Sequence, residues 1–435
     1  MVKRSGGVLW LGIALMVIGG GFLLWGALRL SDAAPAATPP PAPPTATAEP
    51  LIPTRTPEIL PAATPTSTFM LKPTATIAAT VTPTSDLAEL TEVPPTPSPT
   101  VATTLVFTLT AAPTPAFSPT SAPPDSSDFV VSAAERFRLC VSLPHGAPGK
   151  ADLTALGIGW TMDWSVRGAA GLPTGIAYAQ TVRMSEAGLF PEAATLTAVA
   201  AANPGATWLI SNEPDVRWQD NVPPQTYARL YHEAYHAIKA GDPAAVVAAG
   251  GISQPTPLRL RYLDAALETY QTEFGAALPA QAWQIHNYML REERDSWGVD
   301  IPPGFSDNTG VLFSIDDSGN LAVFRSQIVA FRQWMAARGY GGLPLIVSEY
   351  GIPMPPDYGF PLERVAEYLR ETWRYFLTAA DPTLGNPADG GRLVQRWCWF
   401  SMNYPPYPTG NLVEADGGAW TPLARVWMSY VTGDK

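Results

Sequence analysis

The chain has 435 residues with 38 acidic and 27 basic side chains, and its formal net charge is −11 at pH 7. This acidic balance argues against a nucleic-acid partner, because phosphate binding needs a basic surface, and it disfavours a strongly anionic substrate. With only two cysteines, the chain has no disulfide framework and no cysteine-based zinc site. We expect it to need neither metal nor cofactor.

The N-terminal residues have the pattern of a membrane span. Residues 8–30 contain one charge and, at 1.5 Å per residue, are long enough to cross a hydrocarbon core of roughly 30 Å. Lys3 and Arg4 come just before, so the positive-inside rule keeps residues 1–7 in the cytoplasm. A cleaved signal peptide is the alternative, with small residues at 33–37 as its site. The length of the apolar run favours an uncleaved, single-pass signal anchor in the cell membrane, with everything after residue 30 extracytoplasmic.

Two regions of different composition follow. Residues 31–127 are dominated by Pro, Thr, Ala and Ser and show no sustained apolar period, so they cannot bury a core. Frequent proline favours extended segments, which predicts a disordered linker that holds the next region away from the membrane. Residues 128–435 suit one α/β barrel, which takes roughly 250 residues and tolerates loop insertions. We expect this domain to be monomeric.

The domain alternates short apolar runs with helical periodicity. The runs rich in β-formers are 138–143, 157–162, 176–182, 207–211, 245–249, 283–287, 345–348 and 394–401. Helical periodicity is clearest in 227–240, 323–338 and 362–379. Alternating strands and helices predict parallel βα units, and eight of them close into a (β/α)8 TIM barrel. Because helices after the first three strands are weakly periodic, a doubly wound open sheet remains an alternative.

The two cysteines, Cys140 and Cys398, fall in the first and last predicted strands. If these strands are neighbours, the cysteines have the opportunity to pair outside the cell. Strands of a parallel barrel are seldom bridged, however, so we expect two buried free thiols.

Two carboxylates come directly after predicted strands. Glu213 follows the fourth run and Glu349 the seventh, and in a barrel the carboxyl ends of all strands open on one face. Retaining glycoside hydrolysis needs such a pair. One acid protonates the leaving oxygen, and a carboxylate roughly 5 to 5.5 Å away attacks the anomeric carbon. The alternative is that both glutamates belong to ordinary strand-to-loop turns.

The motifs at the strand ends resemble those of the clan A glycoside hydrolases, the 4/7 superfamily. They are WLISNEPD at the fourth strand, WQIHNY at the sixth, LIVSEYG at the seventh and RWCWF at the eighth. WTMDWS after the second strand and NEPD further resemble the fungal cell-wall type β-1,3-glucanase-like catalytic core. The resemblance spans the globular part and is diffuse outside these motifs. It implies the clan more firmly than a family and says little about the substrate, and it makes Glu213 the acid/base and Glu349 the nucleophile. With the predicted anchor, we expect a retaining glycosidase that cleaves β-linked poly- or oligosaccharides at the cell surface.

Carried over by position, the resemblance also implies residues that bind the substrate. Asn212 would hydrogen-bond the sugar 2-hydroxyl, an interaction that strengthens in the transition state. Tyr288 would contact Glu349 and help keep it ionised, while His286 lies on the same floor. The long segment 290–320, rich in Asp, Gly and Pro, is expected to form a cleft wall after the sixth strand.

Tryptophans are the candidates for stacking on sugar rings. Trp399 on the last strand would be the platform under the sugar, with Trp397 as the competing choice, because alternate strand residues share a face. Trp160, Trp164 and Trp218 are assigned to loops after strands two and four, where exposed indoles stack on sugars. Plain packing in the core is the alternative for each of them.

Two other functions remain open. His232-Glu233-Ala234-Tyr235-His236 matches the H-E-x-x-H signature of zinc proteases. The apolar stripe of that helix leaves His232, Glu233 and His236 on the opposite, solvent-facing side, which disfavours a zinc metalloprotease. The other alternative is a barrel that binds carbohydrate, or anchors to a wall, without cleaving it. Two closely spaced acids disfavour a pure binder, which does not need them.

Overall fold

The computed structural model describes residues 130–144, 151–168, 171–415 and 417–433. They form an α/β fold whose ten strands make one curled sheet in the order β3-β2-β1-β10-β9-β8-β7-β6-β4-β5. The strands are β1 Leu139–Ser142, β2 Trp160–Met162, β3 Ala177–Tyr178, β4 Gln180–Ser185, β5 Gly188–Phe190, β6 Thr207–Ile210, β7 Val246–Ile252, β8 Ala282–His286, β9 Leu345–Tyr350 and β10 Arg396–Trp399. Each of the eight predicted runs overlaps a strand, the third with both β3 and β4.

The sheet curls back on itself through one run of chain. β3 pairs with β2 and β4 pairs with β6, both in parallel, and only Ala179 separates β3 from β4. Residues 177–185 therefore contact both ends of the curl. The other neighbours among these strands are also parallel, apart from β5, which pairs antiparallel with β4. The arrangement is TIM-barrel-like.

Helices pack on the outside of this sheet. They are α1 Ala193–Ala202, α2 Pro224–Gly241, α3 Pro257–Phe274, α4 Leu321–Ala337, α5 Leu362–Thr378 and α6 Pro422–Thr432. α2 shows why the periodicity was informative: Tyr227, Tyr231, Ala234 and Ile238 recur every three or four residues and are all buried. Before β3, the described residues contain only short 3-10 helices, which agrees with the weak periodicity there.

The two cysteines are bonded to each other. β1 and β10 are adjacent and in register, with Cys140 directly opposite Cys398 and their Cα atoms 4.2 Å apart. The expectation of two free thiols is wrong. Because the sheet curls back on itself, β1 and β10, which are far apart in the sequence, become neighbours and place these two residues side by side.

The predicted membrane span at 8–30 and the predicted linker at 31–127 lie outside the described residues. Within the described part of the chain, no helix is long and apolar enough to cross a membrane.

Candidate active site

A pocket opens among the loops that follow β2, β6, β8, β9 and β10. It is lined by Trp164, Asn212, Glu213, Val216, Trp218, Gln219, Tyr288, Leu290, Val299, Glu349, Pro353, Phe400, Tyr404 and Tyr407. The structure therefore brings Glu213 and Glu349 together as the sequence predicts. Among these lining residues only the two glutamates carry a charge.

One imidazole joins the two carboxyl groups. His286, at the end of β8, is buried beneath the pocket. Its Nδ1 lies 2.9 Å from Glu213 Oε1 and its Nε2 lies 3.3 Å from Glu349 Oε1. Burial alone would lower the pKa of His286, but the charges of Glu349 and Glu213 outweigh it and raise that pKa. His286 is therefore held toward its protonated form between the two acids.

Glu349 is surrounded by hydrogen-bond donors. The indole Nε1 of Trp164 donates to Glu349 Oε1, and the hydroxyl of Tyr288 donates to Glu349 Oε2 at 3.1 Å. These contacts and His286 lower its pKa, yet burial and the charge of Glu213 raise it, and the net shift is upward. The expected contact between Tyr288 and Glu349 is present and favours the anion, but burial has the larger effect on the pKa of Glu349.

The loop that carries Glu213 has an unusual backbone. Ser211 and Glu213 have φ values of 73° and 48°, in the left-handed region that non-glycine residues seldom adopt. The amide of Glu213 donates to the carbonyl of Gly251 at 2.8 Å. A Cβ on Gly251 would lie 2.7 Å from Ser211 O, so only glycine permits this approach. The buried carboxylate of Asp220 accepts from the amide of Asn212 at 2.8 Å and closes the loop.

A buried ion cluster fixes the same loop from below. The guanidinium of Arg259, on α3, contacts the carboxylates of Asp215 and Glu292, and all three side chains are fully buried. Arg259 also donates to the carbonyl oxygens of Asp215 and Asp300, at 2.7 and 2.8 Å. It thereby ties the loop that carries Glu213 to the long loop after β8, one of the pocket walls.

Loss of this cation is expected to destabilise the fold strongly. Arg259→Met leaves two buried carboxylates without their counter-charge, and such a break costs about 3–5 kcal/mol. Arg261→Met, two residues along the same helix, removes an exposed ion pair with Asp307 and should change little. Urea unfolding of both variants measures the difference. If both variants lose the same small amount of unfolding free energy, the buried cluster does not hold the loops together.

Two predicted stacking residues lie elsewhere. Trp399 is fully buried against Tyr350, 5.3 Å between ring centroids, and its indole donates to Gly410 O at 2.7 Å. It packs under the helices, as Trp397 does, and does not line this pocket. Trp160 is fully buried at the start of β2, where its indole donates to Arg138 O at 2.9 Å. Both assignments are corrected; Trp164 and Trp218 do line the pocket.

Several residues that line the pocket were not predicted from the sequence. They are Val216, Gln219, Pro353, Phe400, Tyr404 and Tyr407. The aromatic content of FSMNYPPY directly after the eighth strand was the available signal for the last three. The predicted wall at 290–320 contributes Leu290 and Val299.

The H-E-x-x-H pattern lies on α2 and lines no part of the pocket. His232 Nδ1 is 2.9 Å from the hydroxyl of Tyr270, and its ring stacks on Phe274 at 3.7 Å. Glu233 and His236 are exposed. Among the residues described, no three His, Cys, Asp or Glu side chains form a group able to hold a metal ion.

No family model matches the chain, and no curated protein matches it. Among solved structures it is similar to an endo-β-1,3-glucanase of glycoside hydrolase family 128, subgroup II, from Sorangium cellulosum, at 16% identity and a TM-score of 0.45, over 67% of this chain and 98% of that chain.

Two further structures show the same level of likeness. A subgroup I endo-β-1,3-glucanase from Amycolatopsis mediterranei, in complex with laminarihexaose, is 17% identical with a TM-score of 0.46, over 67% of this chain and 99% of that chain. A subgroup III curdlan-specific exo-β-1,3-glucanase from Blastomyces gilchristii is 19% identical with a TM-score of 0.45, over 68% and 99%. Such likeness alone assigns no activity to this chain.

Proposed function

We propose that the domain is a retaining glycoside hydrolase on a (β/α)8 barrel that cleaves β-linked poly- or oligosaccharides. The observation that carries this proposal is the pair of buried carboxyl groups, Glu213 and Glu349, joined by His286 inside an aromatic pocket. Burying two acids so near each other costs free energy of hydration and mutual repulsion. A pure binder of neutral sugars gains nothing from that cost, whereas retaining hydrolysis requires the pair.

The proposed reaction uses the two carboxyl groups in turn. Glu349 attacks the anomeric carbon while Glu213 gives its proton to the departing glycosidic oxygen, so that bond breaks and a glycosyl ester forms. A water then gives a proton to Glu213 and attacks the same carbon, which frees Glu349. Trp164 and Tyr288 support Glu349 as an anion before attack and after release. Asn212 lines the pocket and is proposed to bind the sugar 2-hydroxyl.

We propose β-1,3-glucan as the first substrate to test, because NEPD and WTMDWS resemble the β-1,3-glucanase-like core. Reducing-sugar release from a linear β-1,3-glucan should exceed that from cellulose or starch and should require both Glu213 and Glu349. Binding without release from any β-glucan would support the non-catalytic, carbohydrate-binding alternative instead.

We also propose that residues 8–30 anchor the chain in the cell membrane, with the barrel outside. The run holds a single charge, which supports a membrane span. The preceding Lys3 and Arg4 support its orientation. The disulfide between Cys140 and Cys398 agrees with an oxidising compartment. The full chain should stay with the membranes during alkaline extraction. Protease added to intact cells should release an active domain from it. A chain that is protected until the cells are lysed contradicts the proposal.

The pH profile should report the raised pKa of Glu349. Attack requires the ionised form, so kcat/KM should fall as pH drops through a value above the ordinary 4.5 of glutamic acid. Trp164→Phe removes a donor that favours the anion, and this should move the acidic limb to still higher pH. Trp218→Phe also changes the pocket but removes no described contact with Glu349, so its limb should stay in place. If the acidic limb of kcat/KM does not move in Trp164→Phe, the assignment of that limb to Glu349 is contradicted.

A further inference from the structure

A small aromatic cluster forms one wall of the pocket. Tyr404 and Tyr407, on the loop after β10, are buried, and Trp297, Tyr358 and Phe400 pack around them. The ring centroids of Tyr404 and Tyr407 are 5.7 Å apart. Three loops, those after β8, β9 and β10, thus meet at this cluster, and Trp297 and Tyr358 also pack against the main core.

Tyr407 has a polar atom without a partner. Its side chain is 5% exposed, and its hydroxyl is buried with no hydrogen bond. Other buried polar atoms in the described residues also lack partners, but Tyr407 is the one whose residue lines the pocket. Burial and the neighbouring Tyr358 raise the pKa of Tyr407 to about 12, so the hydroxyl stays a neutral donor.

The backbone around Tyr407 is anchored by hydrogen bonds to its own loop and to the loop after β9. The amide of Tyr407 donates to Tyr404 O at 3.0 Å, and the amide of Tyr404 donates to Asn411 Oδ1 at 2.7 Å. The hydroxyl of Thr409 donates to Met354 O at 2.7 Å and joins this loop to the one after β9. The hydroxyl of Tyr407 has no hydrogen-bond partner among the described residues, and an unpaired buried hydroxyl costs stability in the free protein.

We propose that Tyr407 is a substrate-binding residue whose hydroxyl pairs with a hydroxyl group of the glycan in the pocket. Sugar hydroxyls both donate and accept, so one of them satisfies the buried group while the neighbouring aromatic rings cover the sugar face. The proposal rests on the proposed function, since it takes a glycan as the occupant. It adds a polar contact on the β10 side of the pocket.

Tyr407→Phe keeps the ring and removes only the hydroxyl, which makes it the direct test. We expect KM for a β-1,3-glucan to rise about tenfold with kcat nearly unchanged, because the bond is made in both the bound ground state and the transition state. Without ligand, the Tm should stay the same or rise by about 1–2 °C, because an unpaired buried group is lost. A purely structural hydroxyl predicts the reverse: a lower Tm and an unchanged KM.

Tyr368→Phe is the matched control. Tyr368, on α5, has a buried hydroxyl that also lacks a partner, but it does not line the pocket that holds Glu213 and Glu349. Removing this hydroxyl should change the Tm in the same way as in Tyr407→Phe and leave KM unchanged. If KM rises equally in both variants, the effect is not a contact with the glycan and the proposal fails.

Binding separates failure of this proposal from failure of the proposed function. The affinity for a β-1,3-linked glucohexaose is measured by tryptophan fluorescence in Glu349→Gln, with and without Tyr407→Phe. If the wild-type chain binds the hexaose without cleaving it, hydrolysis is refuted, and a weaker affinity in Tyr407→Phe still supports the contact. Equal affinities in the two proteins overturn the role of Tyr407 alone. A chain that neither binds nor cleaves the glucan overturns both.

Discussion

Glu349→Ala is expected to lower kcat on natural glucans by about 10⁴-fold or more, because no other group in the pocket is placed to form the glycosyl ester. Azide should restore part of this activity, since truncation opens a cavity on the face from which the carboxylate attacks. The rescued product should have the anomeric configuration opposite to the normal one. Product analysis by NMR, with and without azide, measures both effects.

Glu233→Ala is the control for loss of a carboxylate. Glu233 is exposed on α2, as the second residue of the H-E-x-x-H pattern, and its removal should leave turnover unchanged. If a chelator, Glu233→Ala or a substitution of His232 or His236 removes activity while Glu349→Ala retains it, the glycosidase account is wrong. The zinc protease alternative would then have to be taken up.

Glu213→Ala should divide substrates by their leaving groups. Natural linkages need a proton on the departing oxygen, so their cleavage should fall by roughly 10²–10⁴-fold, the usual contribution of a general acid. Activated aryl glycosides need no proton and should still form the ester with Glu349. The ester should then be released slowly, because no base activates the water.

Pre-steady-state measurements with an aryl glycoside test this assignment. A burst of released phenol followed by a slow steady phase is expected for Glu213→Ala. Equal losses on activated and natural substrates, without a burst, would show that Glu213 is not the acid/base.

The strands and the carboxyl pair were accessible to sequence because each depends on a local pattern. An apolar run followed directly by a polar residue locates the carboxyl end of a barrel strand, and it placed Glu213 and Glu349 correctly. The boundaries of α2, α4 and α5 also came close, because their buried residues recur every three or four positions. α3 was not predicted, although its buried residues Leu258, Tyr262, Ala266 and Tyr270 recur every four positions.

The tryptophans of β10 show what alternation does not decide. Trp397 and Trp399 do share a face, as the sequence indicates, but that face packs on the helices. Cys398 and Phe400 lie on the inner side with Trp164. Because strands of such a sheet are covered on both sides, both faces are apolar and hydrophobicity does not distinguish the inner one. Phe400, rather than Trp397 or Trp399, is therefore the aromatic residue at this strand end that lines the pocket.

Contacts between distant segments were also hidden. Arg259 is 44 positions from Asp215 and 33 from Glu292, and nothing in their local sequence pairs them. The disulfide joins residues 258 positions apart, and its formation depends on which strands become neighbours. The upward shift in the pKa of Glu349 likewise depends on burial that only the assembled pocket produces.

The anomeric configuration of the first product tests the central claim most directly. Proton NMR recorded within seconds of adding the wild-type chain to a β-1,3-glucan resolves the α and β forms of the new reducing end before they equilibrate. Attack by Glu349 followed by attack of water inverts the centre twice, so the β anomer should appear first. Initial formation of the α anomer would show a single displacement and contradict the nucleophilic role of Glu349.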